Sequence, residues 1–169
     1  MPAANRRWIV VNALLVTAIV NLVVNGGVAW LSIRGQDEVP LWARPFSETS
    51  TLGDTLGTLF VLPLITTLLC TTAVWHARRQ AELSLLPRVP PYERWLERMP
   101  SSRLVRGLSF GALAFAFYAP AVALALVVID PGPLSQAQFV AFKTAFAVAL
   151  GAIVTPQIAL CAMTDRVSA

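Results

Sequence analysis

Four long uncharged stretches decide what this chain of 169 residues can fold into. Each holds 21 to 26 residues without Asp, Glu, Lys or Arg: Trp8–Ile33, Thr55–Trp75, Gly107–Ile129 and Thr144–Thr164. A helix that crosses a bilayer needs about 20 mostly apolar residues. None of the stretches alternates with the period of two that is typical of a barrel strand. The sequence therefore predicts an all-α fold, a bundle of four transmembrane helices near residues 8–32, 51–75, 104–129 and 136–162.

The composition excludes several classes of soluble protein. Only 13 % of the residues are charged and 56 % are hydrophobic, whereas about 25 % of a soluble domain is charged. The net charge of +4 does not indicate a nucleic-acid partner, because the arginines lie between the apolar stretches. Basic residues in such loops set the orientation of a membrane protein. We expect membrane lipids as the immediate partners and no nucleic acid.

The basic residues divide unequally between the two sides of the predicted bundle. Ten of the 13 fall on the side of the two chain ends and of the connector 76–103; Arg34 and Arg44 fall on the other side, and Lys143 lies within the fourth span. Loops rich in Arg and Lys stay in the cytoplasm. We therefore predict that both termini and the connector are cytoplasmic. The excess of Arg over Lys, 12 to 1, indicates a GC-rich bacterium, so we expect the bacterial inner membrane. The first stretch is longer than the 7–15 apolar residues of a signal peptide, so we expect it to remain as a span.

Two short motifs predict where helices begin. Ser135 followed by Gln138, and Thr51 followed by Asp54, have the spacing of a capping box. The first would open the fourth span and the second would open the second span. Asp54 would then also lie near the positive end of the helix dipole.

Small and polar residues recur at every fourth position of the first span. In a bilayer, such residues mark the surfaces at which helices pack, because lipid tails are as apolar as Leu. The stripe predicts a close contact with another span; its members are Ala13, Thr17, Asn21, Asn25 and Ala29.

Four polar residues form the candidate site: Asn21, Asn25, Asp54 and Lys143. Charged residues within spans are costly and are functional candidates by default. Asp54, Lys143 and Asn25 would lie at similar depths, about 5 to 10 Å below one end of their helices at 1.5 Å per residue. An Asp54–Lys143 ion pair assisted by Asn25 is therefore geometrically reasonable. Two alternatives stay open: Asp54 as a helix cap, and Lys143 extending its ammonium to the headgroups.

The residues of the common catalytic sites are missing or separated in the sequence. The single histidine, His76, cannot supply two haem ligands, and the two cysteines fall in different stretches without metal-ligand spacing. Asp54 and Asp130 do not favour an aspartyl protease, because Asp130 precedes Pro131 at an ordinary turn position. We predict no enzymatic activity, no catalytic residues, no cofactor and no metal.

Three short motifs, Asn21-x-x-x-Asn25-Gly26, Phe142-Lys143 and Thr155-Pro156, resemble those of a group of small bacterial four-helix integral membrane proteins. The resemblance extends over most of the chain and implies the membrane and the fold, without an activity. We expect an accessory or interaction role. The alternative is a small transporter or channel that uses the Asp54–Lys143–Asn25 cluster. The sequence leaves open whether the partner is a second copy or another membrane protein.

Overall fold

The structure is a computed structural model and describes residues 1–44, 48–87, 98–100 and 102–165. Four helices make up most of it: α1 (Ala3–Ser32), α2 (Thr51–Arg79), α3 (Arg103–Ile129) and α4 (Gln136–Met163). Each is long and apolar enough to cross a membrane. Two short strands, β1 (Glu38–Val39) and β2 (Leu134–Ser135), complete the regular structure of the described residues. The fold is an all-α four-helix transmembrane bundle, as predicted.

The four helices alternate in direction and give the bundle two distinct ends. At one end, which we name the terminus side, the first turns of α1 meet the last turn of α4, since Asn5 Nδ2 lies 3.5 Å from Met163 Sδ. At the other end, which we name the hairpin side, β1 pairs antiparallel with β2 and Glu38 lies opposite Ser135. The start of α1 and the end of α4 thus lie on the same side of the bundle.

The helices are not equally close to one another. α1 packs against α4, α4 against α2, and α2 against α3. Small residues permit these contacts: Gly26 and Gly151 face the contact between α1 and α4, while Gly107 and Gly111 approach the backbone of α2. Because α4 stands between α1 and α2, those two helices are held apart along one face of the bundle.

The N-terminal part of α1 departs from ordinary α-helical geometry. Residues Ile9–Val16 form a π-helix between two α-helical segments. The hydroxyl of Thr17, the residue that follows this segment, donates to the carbonyl of Asn12 at 3.0 Å. Such segments are rare, and they are often found at functional sites. This segment was not predicted from the sequence.

The start of α2 differs from the prediction. The capping residue is Ser50, whose hydroxyl accepts a hydrogen bond from Gly53 N at 3.2 Å. Thr51 is already helical, so the predicted Thr51–Asp54 capping box is wrong. Ser50 has the extended backbone and the side-chain oxygen that a cap requires, and it frees Asp54 for another partner. The predicted Ser135–Gln138 capping box of α4 is confirmed.

The hairpin side is closed by a small apolar cluster. Ala29, Ile33, Val39 and Phe139 are fully buried there and pack together. Beyond them, Thr51 N donates to Pro40 O at 2.9 Å. These contacts tie the segment after α1 to the start of α2, and they fix the level of Asp54 relative to α4.

The terminus side is held by buried polar contacts. Arg106 on α3 binds the carboxylate of Asp165, with Nη1–Oδ2 at 2.5 Å and Nη2–Oδ1 at 3.0 Å, and Arg78 Nη1 donates to Asp165 O. Asn5 donates to Ser84 O at 2.8 Å and accepts from Ser84 N at 3.3 Å. α2 continues to Arg79, into the predicted connector. Residues 88–97 and 101 of that connector lie outside the described residues.

Candidate binding groove between α1 and α2

Asp54 and Lys143 meet where α2 and α4 pack together. Lys143 Nζ donates a hydrogen bond to Asp54 Oδ1, and the lysine side chain is 7 % exposed while the aspartate is 17 % exposed. Lys143 therefore does not extend its ammonium to the headgroups. Asp54 is not the helix cap, since Ser50 has that role. Of the three arrangements that the sequence left open, the structure contains the ion pair.

Asn21 and Asn25 lie on α1, one helical turn apart. Asn25 Nδ2 donates to Asn21 Oδ1 at 2.9 Å. Asn21 is buried, and its Nδ2 has no hydrogen-bond partner among the described residues. A Cβ on Gly151 would lie 2.4 Å from this nitrogen, so the close approach of α4 depends on glycine there. Within the described part of the chain, no hydrogen bond joins the asparagines to the ion pair.

All four predicted site residues line one cavity of about 580 Å³. The cavity is the groove that α1 and α2 enclose because α4 holds them apart, and we refer to it as the α1–α2 groove. Lys143 is the residue that α4 contributes to its lining, while the asparagines come from α1 and Asp54 from α2. The two polar pairs thus share a surface without touching each other.

The walls of the groove are apolar stripes with a step of four residues. One lies on α1 and the other on α2: Val16, Val20, Val24 and Val28, and Gly57, Val61, Ile65, Leu69 and Ala73. Residues four apart lie on the same face of a helix. From Gly57 to Ala73 the wall is about 24 Å long at 1.5 Å per residue. This is most of the roughly 30 Å hydrocarbon core of a bilayer.

The groove has a more polar end on the hairpin side. Asp54, Lys143, Asn25 and Asn21 lie there, whereas Asn12 and Thr66 are polar residues in the half towards the termini. Binding sites for small molecules commonly have this design, with apolar walls and a few polar groups that fix the orientation of the ligand. The groove therefore suits an amphipathic molecule that is long, narrow and polar at one end.

The groove itself was not predicted from the sequence. In the sequence, valines recur at every fourth position of α1, at Val16, Val20, Val24 and Val28. A stripe that only faces lipid would show the same pattern, so it does not indicate a groove. The predicted contact stripe with Asn21 and Asn25 lies on a neighbouring face of α1. Only the spacing of α1 and α2 across α4 reveals that the two apolar stripes face a shared space.

Metal-ligating residues do not cluster in the described ranges. No group of three or more His, Cys, Asp or Glu side chains suited to a metal ion occurs there. Comparisons of the chain with protein-family models, with curated proteins and with solved structures found no match. The geometry of the α1–α2 groove is therefore what supports a function for this chain.

Proposed function

We propose that this chain is a non-enzymatic accessory protein of the bacterial inner membrane, and that the α1–α2 groove is its binding surface. The observation that carries the proposal is the separation of α1 and α2 by α4, which leaves a cavity of about 580 Å³ along the spans. Ligand sites usually enclose about 300–1,000 Å³ and have mainly apolar linings. The resemblance to small bacterial four-helix membrane proteins supports the same assignment of membrane and fold.

Site-specific photocrosslinking tests this function. A photoreactive amino acid replaces Val61, on the groove wall, and in a matched variant it replaces Val128, which is 73 % exposed on α3. We expect adducts from position 61 that are fewer in kind and formed in higher yield than the mixed lipid adducts from position 128. Equal yields of the same mixture from both positions would contradict a binding function for the groove.

The proposal includes an orientation with both termini in the cytoplasm. It is supported by the ten basic residues that the sequence assigns to the side of the termini and the connector, against two on the other side, since basic loops remain in the cytoplasm. Cysteine labelling in intact cells tests it. A membrane-impermeant reagent should label a cysteine at exposed Gly35, on the hairpin side, and should not label one at exposed Ala81. Labelling of position 81 alone would show that the orientation is the opposite of the proposed one.

A second candidate function is a small transporter or channel. It is favoured by the polar residues that line both halves of the groove, with Asn12 and Thr66 towards the termini and the Asp54–Lys143 pair at the other end. Solute or ion flux in reconstituted vesicles tests it. Transport through the cluster predicts flux that is lost in Lys143→Met, and flux that persists in this variant would exclude a role for the pair.

A further inference from the structure

We infer that the α1–α2 groove binds one acyl chain of a glycerophospholipid and that the ester carbonyl of this chain accepts a hydrogen bond at the Lys143 end. The inference rests on the proposed binding function and specifies the occupant. It makes this lipid a bound ligand of one site, in contrast to the lipids that surround any transmembrane bundle.

The dimensions of the groove exclude a helix as the enclosed occupant. An α-helix is 10–12 Å wide with its side chains, so a length of about 24 Å would require roughly 1,900 Å³. Even the whole empty space of the groove, including its open side, is only about 1490 Å³. A partner helix would rest on the rim of the groove without filling it. An acyl chain is one methylene wide and can lie along the apolar stripes.

The walls of the groove are accessible from the hydrocarbon layer. Val24, Val61 and Leu69 are 54 %, 46 % and 63 % exposed, although they line the cavity. Hydrophobicity does not hold an acyl chain there, because the surrounding lipid is equally apolar. Close packing in the groove and the polar end must supply the selectivity.

The polar end suits a neutral acceptor. An ammonium group has three N–H donors, and Lys143 donates one of them to Asp54. Since Asp54 neutralises the charge of Lys143, the pair has no net charge with which to bind a phosphate. The remaining ammonium donors and the second amide hydrogen of Asn25 match carbonyl oxygens.

The depth of Lys143 is also that of an ester group. Lys143 comes seven residues after Gln136, the first residue of α4, which places it about 10 Å along the helix. The interfacial layer is roughly 5–7 Å thick on each side of the hydrocarbon core. The side chains of a helix tilt towards its N-terminus, so the ammonium, which stays paired with Asp54 below the headgroups, lies near the boundary of the two layers. The ester groups of a glycerophospholipid lie at this boundary, below the phosphates.

Two glycines provide a matched pair of variants. A Cβ on Gly57, in the groove wall, and a Cβ on Gly27, on α1 outside the lining, would each have no atom within 4 Å. Gly57→Leu therefore places a side chain in the groove, starting from a Cβ that meets no neighbouring atom. Gly27→Leu makes the same change in helix propensity away from the groove.

The experiment uses the full chain in lipid nanodiscs of phosphatidylethanolamine and phosphatidylglycerol at a ratio of about 3 to 1. A trace of phosphatidylcholine with a diazirine in one acyl chain is the probe, and mass spectrometry locates the labelled peptides. We expect the groove faces of α1 and α2 to be labelled. Labelling should decrease at least five-fold in Gly57→Leu and should be unchanged in Gly27→Leu. The inference would be overturned if the exposed face of α3 were labelled as strongly as the groove faces and if Gly57→Leu did not reduce the labelling.

A second probe tests the ester group without altering the protein. An ether-linked phosphatidylcholine has the same chains and phosphate but lacks both carbonyls. We expect about ten-fold more of this lipid than of the ester lipid to be needed to compete with the photoreactive probe. Equal competition would overturn the assignment of the polar end. If the photoreactive residue at position 61 captures a protein instead, the lipid inference fails while the binding function of the groove stands.

Discussion

Lys143 on α4 donates a hydrogen bond to Asp54 on α2, and this ion pair joins two spans near the hairpin side of the bundle. Both side chains are largely buried, so each charge depends on the other for its stability in a medium of low dielectric constant. Neither residue forms such a pair within its own helix. The pair consequently fixes the register between α2 and α4, and it forms the polar end of the α1–α2 groove.

Removal of one charge should cost much more than removal of both. We expect Lys143→Met to lower the free energy of unfolding by about 2–3 kcal/mol, because it leaves a carboxylate inside the bilayer without a counter-ion. Unfolding in mixed micelles of a mild detergent and sodium dodecyl sulfate measures this loss. The matched variant is Lys143→Met combined with Asp54→Leu, which should recover most of the stability. Strictly additive effects of the two changes would contradict the coupling.

Replacement of Arg106 by lysine should destabilise the protein. Its guanidinium binds both carboxylate oxygens of Asp165 and donates from Nε to Pro100 O at 3.1 Å. Lysine has a single nitrogen and cannot reproduce this geometry. We expect Arg106→Lys to lower the free energy of unfolding by about 1–3 kcal/mol, measured as above.

Arg103 provides the control for Arg106. It is exposed and stacks over the Trp75 ring at 5.3 Å, where an ammonium also interacts favourably with the aromatic face. Arg103→Lys should therefore have a much smaller effect on stability. Similar losses of unfolding free energy for the two variants would show that the bidentate contact of Arg106 stabilises the protein no more than the exposed contact of Arg103 does.

Asn5 should anchor the segment that follows α2. Its amide is fully buried and satisfies both backbone groups of Ser84. Asn5→Leu leaves these two groups without a partner, at a cost of about 2–3 kcal/mol. We expect faster cleavage by a protease within residues 80–87, and lower stability. The control is Arg6→Gln at the exposed neighbouring position, and faster cleavage in that variant as well would contradict an anchoring role for Asn5.

The sequence predicts the fold more completely than the site. Four uncharged stretches of sufficient length permit little other than four helices, because hydrocarbon requires every backbone group to be paired within the structure. The Ser135–Gln138 cap was predictable because its partners are local. The Ser50 cap was missed because Thr51 has the same chemistry, and the backbone conformation decides between them.

Contacts between distant segments could not be predicted from the sequence. The similar depths of Asp54 and Lys143 made their pairing reasonable, but the choice between ion pair, helix cap and extended lysine depended on how α2 and α4 pack. Asn5 and Asp165 gave no sequence signal, since their partners lie 79 and 59 residues away. The groove arises from the distance between α1 and α2, a property that no local pattern encodes.

The packing of α3 on α2 should depend on Gly111. A Cβ at this buried position would lie 2.7 Å from the backbone oxygen of Phe60, and a backbone atom cannot move aside as the end of a flexible side chain does. We expect Gly111→Ala to lower the free energy of unfolding by about 1–3 kcal/mol, as overpacking of a close contact does. Gly27→Ala is the control, because its Cβ would have no atom within 4 Å. Since Ala is the better helix former by about 1 kcal/mol, that variant should be as stable as the parent or more so. Unfolding of both variants in mixed micelles decides the matter, and a stable Gly111→Ala protein would mean that α2 and α3 do not approach each other this closely.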